Sequence, residues 1–450
     1  MNTRKIPRYD FLNRFLKAAL VNIASNITIP LAGAISVAFM GHLSDINYLA
    51  GVALGSILFN LLYESCSFIK SGTTAITSQA VGRDDREAIL LTGLQHALIA
   101  SGLGLLFLLL QYPLGKLGFI LLSGTTEVKL AGLAYFNARI WGAPAALVNL
   151  VLMGWFLGRE QNRWVLFLTI IGNIANIALD YLYIVHWHWS SVGAGLSQAI
   201  SQYTVLLLGL VIISREVSWQ EIVNLIRKVF NLSDFQTLFA FNRNLSIRAI
   251  AIVSIFVMFT AFSSTLGTEV LAENVLLMQI VAFSMYMCDG VEYATVTLTG
   301  NFQGQGATHK FVPLLQIALG INLAIALTFG LAAILFPENI FNVFTNHSEL
   351  IGAIQVYIPW ITLVVMGSGF AYVFDGFFAG LGEGTVIRNT YLISGSLGFI
   401  SLVLSTFYFH SNHCLWLSMF IFMLSCAVNL GLKISMTLQS NNQSSSQLVA

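Results

Sequence analysis

Ionisable and amide side chains set inside long apolar stretches are the residues of this sequence whose chemistry needs a reason. A carboxylate near a bilayer centre costs about 2.5–3.5 kcal/mol on insertion scales, so each one needs a partner, an aqueous cavity or a proton. Asn173, Asn176 and Asp180 are spaced by three and four residues, which puts all three on one face of a helix. An acid flanked by two amides offers oxygens to a sodium ion, or a carboxylate that holds and releases a proton. The plainer alternative is a hydrogen-bonded structural Asp near the membrane surface.

A second set lies further along. Tyr286, Asp289 and Tyr293 share a helical face with Glu292 alongside, Tyr372 and Asp375 repeat the spacing of three, and Asn244 and Arg248 are four apart. Acids and an Arg gathered this way could relay protons or meet a charged substrate; equally, an Arg–carboxylate pair could fix helix packing. Glu64 and Lys70, nearly two turns apart, read as structural or interfacial.

The elements that must position these residues follow from composition. Of 450 residues 56% are hydrophobic and only 9% charged, against roughly 25% charged in a soluble domain. A net charge of +1 excludes a basic nucleic-acid-binding face. With about 20 apolar residues per crossing, the chain accommodates twelve helices, predicted at 15–40, 48–70, 89–112, 130–157, 164–186, 192–214, 244–265, 271–300, 311–336, 350–381, 388–409 and 413–436. Ala32-Gly33-Ala34 mimics a signal-peptidase site, but the run from Ala18 to Met40 is long enough to span.

Lys and Arg beside a span stay on the cytoplasmic side. Arg4, Lys5, Arg8, Arg14, Lys17, Arg83, Arg86, Arg159, Arg163, Arg215, Arg227, Lys228, Arg243, Lys310, Arg388 and Lys433 fall on one side, and only Lys116 and Lys129 on the other. Both termini are therefore expected inside. His186, Trp187, His188 and Trp189 then sit at an outer boundary, where an aromatic belt fits better than a metal site. Trp219, Ile222, Leu225, Ile226 and Val229 recur at helical spacing among charges, the pattern of an interfacial linker helix. Cys66, Cys288, Cys414 and Cys426 are widely spaced and read as packing residues.

The two halves repeat. Gly154-Trp155-Phe156-Leu157-Gly158 recurs as Gly376-Phe377-Phe378-Ala379-Gly380 at an offset of 222, and Gln79-Ala80-Val81-Gly82 as Gln303-Gly304-Gln305-Gly306 at 224. Six spans per half is even, so the copies share an orientation, with a pseudo-two-fold axis along the membrane normal. The expected fold is an all-α membrane protein of twelve transmembrane helices in two six-helix lobes: an N-lobe over 1–214, a cytoplasmic linker helix over 215–241, a C-lobe over 242–438 and a disordered Ser/Asn/Gln-rich tail over 439–450. Two lobes about a polar cleft is the layout of an alternating-access transporter. No phosphate-cradling loop, nucleophile elbow or zinc-protease motif occurs, so neither an enzyme nor an ATP-driven pump is indicated.

Ile29-Pro30-Leu31-Ala32-Gly33 followed by Met40-Gly41-His42-Leu43 resembles the first span of multidrug and toxic compound extrusion (MATE) transporters, particularly the DinF-like branch. Ala143-Pro144-Ala145-Ala146 through Asn149 to Gly158-Arg159, Asn176 to Asp180, Asn242-Arg243-Asn244 with Arg248, Asp289-Gly290 and Asp375-Gly376 are similar to the same branch, so the likeness covers nearly the whole chain. It implies export of amphipathic, often cationic, compounds in exchange for protons or sodium. Asn176 and Asp180 match the family's fifth-span pair. Where the DinF-like pattern reads Val-Asp-Thr-Ala, this chain has Ile35-Ser36-Val37-Ala38, and a sixth-span Thr is replaced, with Ser197 and Gln198 in that neighbourhood. One carboxylate in place of two favours a proton over sodium, and the missing acid favours neutral or anionic compounds.

Spacing and resemblance together give ion coupling by Asp180, Asn176, Asn173, Asn149, Ser36 and Gln198, and a substrate cleft shaped by Arg248, Asn244, Asp289, Glu292, Tyr286, Tyr293, Asp375 and Tyr372, with Pro30 either a hinge or a static kink in the first helix. No cofactor or metal is expected. The expected partners are an amphipathic small molecule and membrane lipid, with no nucleic acid, and the expected form is a monomer in the inner membrane. The alternative is a lipid-linked precursor flippase, whose pyrophosphate head calls for several Arg or Lys in the cleft; only Arg248 and Arg139 are candidates. A non-transporting membrane scaffold fits the repeat and the paired acids less well.

Overall fold

The computed structural model describes residues 9–41, 46–122, 124–342 and 352–447. Arg4, Lys5, Arg8 and the His42-Leu43 pair lie outside them. Twelve helical stretches are long and apolar enough to cross a membrane, and they follow the predicted spans. In chain order the helices are α1 (Leu12–Gly41), α2 (Ile46–Glu64), α3 (Phe68–Gly82), α4 (Arg86–Leu109), α5 (Gln111–Leu121), α6 (Thr126–Arg139), α7 (Ala143–Gly158), α8 (Asn162–Asp180), α9 (Ser190–Glu216), α10 (Trp219–Val229), α11 (Leu232–Leu266), α12 (Thr268–Gln305), α13 (Phe311–Leu335), α14 (Pro337–Phe341), α15 (Ile358–Leu381), α16 (Gly384–Leu404) and α17 (Asn412–Gln447). Two crossings of the first unit are interrupted. The break between α2 and α3 falls at residues 65–67, and a 3-10 turn at Ile140–Gly142 separates α6 from α7, where Pro144 supplies no N–H and suits the first turn of a new helix. In each half the fifth span ends in a π-turn, at Tyr181–His186 and at Ser405–Phe409.

Contacts divide the chain into two units: Ala24–Ala240, and the chain through Ile23 together with Phe241–Ala450. The first helix is therefore not wholly part of the first half. Its opening turns pack with the second half through the Phe11 and Phe302 rings at 5.3 Å, Arg14 Nη2 donating to Asn301 Oδ1 at 3.1 Å, and the Lys310–Asp10 pair at 2.7 Å. The linker helix α10 belongs to the first unit. A capping box between Ser218 and Glu221 starts it, Leu225 and Val229 bury one face, and Arg86 pairs with Glu221 at 2.7 Å. Hydrogen bonds from Arg86 and from Ser218 hold the Glu221 carboxyl down at about 2, so this clamp stays charged through the physiological range. Helix α17 continues to Gln447, through most of the stretch expected to be a disordered tail: once the twelfth span is formed, each further residue adds a backbone hydrogen bond without a new nucleation cost.

Within each unit one helix pair makes the same joint. A Cβ on Gly154 of α7 would sit 2.5 Å from the Lys70 carbonyl of α3, and one on Gly158 would sit 2.8 Å from the Thr74 carbonyl. In the second unit Gly376 of α15 faces the Glu292 carbonyl of α12 at 2.8 Å, and Gly380 faces that of Val296 at 2.7 Å. The glycines and the carbonyls they meet are related by 222 residues, the offset read from the glycine motif in the sequence. Gly-x-x-x-Gly thus packs helices by letting backbone approach backbone, and the repeat and the packing motif are one feature. Gly154→Ala and Gly376→Ala should each destabilise the protein by about 1–3 kcal/mol through overpacking. Gly102 of α4 meets nothing within 4 Å, and Gly102→Ala should be neutral or mildly stabilising. Thermal unfolding of the purified variants in detergent checks both.

Candidate functional site

The first unit brings four of the expected ion-coupling residues together around one carboxylate. Asp180 ends the α-helical part of α8 and is 1% exposed. Ser36 of α1 donates to its Oδ2, and Ser197 of α9 donates to its Oδ1. Asn176, one turn before Asp180, donates through Nδ2 to Ser197 Oγ at 3.3 Å, and Gln198 Nε2 donates to Asn176 Oδ1 at 3.0 Å. A directed chain therefore runs from Gln198 through Asn176 and Ser197 to the carboxylate. With Ser36 of α1 three helices supply the group, and the π-turn begins at the residue after Asp180, a widening that recurs at functional positions in helices.

Each hydroxyl has a second acceptor in reach. Ser197 Oγ lies 2.9 Å from the Ala194 carbonyl, and Ser36 Oγ lies 3.5 Å from Asn176 Oδ1. The oxygens available to a cation are Asp180 Oδ1 and Oδ2, the two serine hydroxyls and Asn176 Oδ1, all engaged with one another by hydrogen bonds. Among the described residues no group of three or more His, Cys, Asp or Glu lies together as a metal site.

Two expected members stand apart. Asn149 of α7 is turned to α9 instead, where its Nδ2 donates to the Gln202 carbonyl and to Gln202 Oε1, both at 2.9 Å. Asn173 shares the face of Asn176 but lies two turns from Asp180, and its buried Nδ2 has no hydrogen-bond partner. Pro30 sits inside α1, a helix unbroken from Leu12 to Gly41, where it removes one rung of the backbone ladder six residues before Ser36.

In the second unit Arg248 of α11 is the centre of a buried cluster. Its Nη2 meets Glu292 Oε1 of α12 at 2.7 Å and its Nε pairs with Asp375 Oδ2 of α15. Exposures of 8%, 2% and 1% for Arg248, Glu292 and Asp375 take the ion group out of solvent. Tyr391 of α16 donates to Asp375 Oδ2 at 3.5 Å, with its ring 5.8 Å from the guanidinium. Tyr391 was not among the expected residues; a lone Tyr in the eleventh span carries no spacing signal. Tyr372 and Asp289 flank the cluster. Asn244 accepts from Arg388 Nη1 at 3.3 Å, Tyr293 is buried, and Tyr286 is exposed. Where the first unit's fifth span ends, just past Asp180, Tyr183, Trp187 and Trp189 cluster with centroids 4.9–5.2 Å apart, as an aromatic belt would.

Comparison with known proteins matches the MatE family pattern twice along the chain, at residues 22–182 and 245–405. The chain is 31% identical over 405 residues to DNA damage-inducible protein F of Escherichia coli (strain K12), covering 90% of this chain and 88% of that protein. It is 24% identical over 420 residues to Protein DETOXIFICATION 45, chloroplastic, of Arabidopsis thaliana, covering 86% and 72%. Among solved structures, one described as the outward-facing conformation of a multidrug resistance MATE family transporter of the MOP superfamily superposes with a TM-score of 0.86 at 16% identity, over 96% of this chain and 97% of that one, a likeness of fold.

Proposed function

Because the chain belongs to the MatE family, it is a multi-pass integral membrane transporter and not an enzyme, and from that premise we propose that it is a secondary active efflux antiporter of the inner membrane. It exports amphipathic organic compounds by alternating access in exchange for protons, with both termini cytoplasmic. The observation that carries the proton reading is the pair of hydroxyls on Asp180, each with a second acceptor. A proton arriving on Oδ1 donates to Ser197 Oγ, whose own hydrogen turns to the Ala194 carbonyl 2.9 Å away. One hydroxyl rotation accommodates the added proton and leaves no buried polar atom stranded. A sodium ion would instead have to displace the hydrogen bonds among five oxygens and find further ligands.

The flippase alternative needs several cations in one cleft. Arg248 is neutralised by Glu292 and Asp375, which leaves Arg139 as the remaining candidate and disfavours a pyrophosphate head. Proteoliposomes loaded with a fluorescent amphipathic dye, with proton and sodium gradients imposed separately, test the proposal. A proton gradient opposed to dye movement should speed it roughly 5-fold or more, and an equal sodium gradient should leave the rate unchanged. Acceleration by sodium alone overturns the choice of ion; no gradient-dependent movement overturns antiport.

A further inference from the structure

Two arginines inside spans of this chain are held in opposite ways. Arg248 is neutralised by two carboxylates. Arg139 closes α6, fourteen residues into a crossing that runs from Thr126 to Gly158, and among the described residues no carboxylate lies within ion-pair distance of it. Aromatic groups hold it instead. Its guanidinium carbon lies 4.5 Å from the centre of the Phe59 ring, 5.6 Å from that of Tyr135 and 5.7 Å from that of Tyr63. Nη1 donates to Tyr135 OH at 2.6 Å, and that oxygen also accepts from Ser56 Oγ at 3.2 Å.

This arrangement orients the charge without cancelling it. A guanidinium has five N–H donors, and the protein takes one. Arg139 is only half buried, and its other nitrogens are absent from the buried atoms that lack partners, so they open onto accessible space. Cation–π contact attracts the ion to the ring faces but supplies no counter-charge. A planar fork, held by rings with its donors free, is the arrangement that receives an oxyanion in a bidentate way.

The main chain at Arg139 packs on the helix that carries Ser197. Gly195 of α9 lies against Tyr135 and Arg139, where a Cβ would meet the Tyr135 carbonyl at 2.5 Å and the Arg139 nitrogen at 3.0 Å. Ser197 and Gln198 follow Gly195 within one turn of that helix. Asp180 is held by hydroxyls and Arg139 by rings.

We propose that Arg139 is the head-group site for an amphipathic organic anion, a compound with a carboxylate or sulfonate head and an apolar body. This rests on the antiport reading and names its substrate class, but it is tested by binding, where no gradient is needed. The full chain in detergent is titrated with dansylglycine and with dansylcadaverine, which share a fluorophore and differ in the sign of the head. Wild type should bind the anion, and Arg139→Gln should weaken that binding about tenfold or more while leaving the cation unchanged or tighter. Arg139→Lys keeps the charge but loses the fork, and should fall between. A correctly folded Arg139→Gln protein that binds dansylglycine as wild type does overturns the proposal.

A second measurement uses the wild-type protein alone, so the outcome does not depend on the variant folding. Octanesulfonate should slow modification of Arg139 by phenylglyoxal about tenfold, read by peptide mass spectrometry, and octyltrimethylammonium should not. Absence of selective protection by the anion also overturns the proposal. Binding that survives with no gradient-driven transport would leave the anion site standing and remove the antiport reading.

Discussion

Asp180→Asn is expected to yield a folded protein that still binds its compound but loses its response to a proton gradient, by roughly 5–150-fold, the span of typical coupling free energies. An Asn amide presents one oxygen and one NH2 where the carboxylate presented two oxygens. The hydroxyl facing the new NH2 turns to its alternative acceptor, Ala194 O for Ser197 or Asn176 Oδ1 for Ser36. One N–H of the new amide is then matched at that hydroxyl and the other is not, so stability should fall by about 1–3 kcal/mol. Efflux in proteoliposomes under an imposed pH gradient, beside a melting curve, separates the two effects. Retained coupling in a folded Asp180→Asn protein would remove this carboxylate from the mechanism.

Arg248→Met is expected to be far more damaging to folding, by about 3–5 kcal/mol, because it leaves Glu292 and Asp375 buried side by side with their cation gone. Size-exclusion profiles should show loss of the monodisperse species. Replacing the whole group, as Arg248→Met with Glu292→Met and Asp375→Leu, removes every charge together and should recover most of the folded protein. Transport by that triple variant then divides the two sequence-based readings of the cluster. Full gradient-driven efflux assigns these residues to packing, and loss of efflux in a folded protein assigns them to ion or substrate handling. An Arg248→Met protein as stable as wild type would show that the buried pairs do not hold the second unit together.

The spans were legible because a crossing is a matter of length and composition, and both are local. What happens within a crossing was not. The interruption at Ile140–Gly142 had a signal in Pro144, but hydropathy averages across it, and the break at residues 65–67 carries only ordinary serines and a cysteine. Asp180 and Asn176 were found from their spacing alone. Ser197 was noted only through the family likeness, since a helical serine usually bonds its own preceding turn, as Thr73 does to Ile69 and Thr297 to Tyr293. For the complementary reason, that Asn149 stands apart from this group was not legible. Its partner Gln202 is 53 residues away, and nothing in the spacing of either announces the other.

The glycine joints described above are led by main chain. At Gly154 and at Gly376 the carbonyl oxygen of one residue comes nearest the glycine, ahead of any side-chain atom. In the first unit that residue is Lys70; in the second, at the matching place, it is Glu292, which reaches Arg248. A contact led by a carbonyl oxygen admits unlike side chains on the same residue, a base in one copy and an acid in the other. The duplicated scaffold could thus acquire unlike electrical characters in its two halves while its mechanical skeleton stayed fixed.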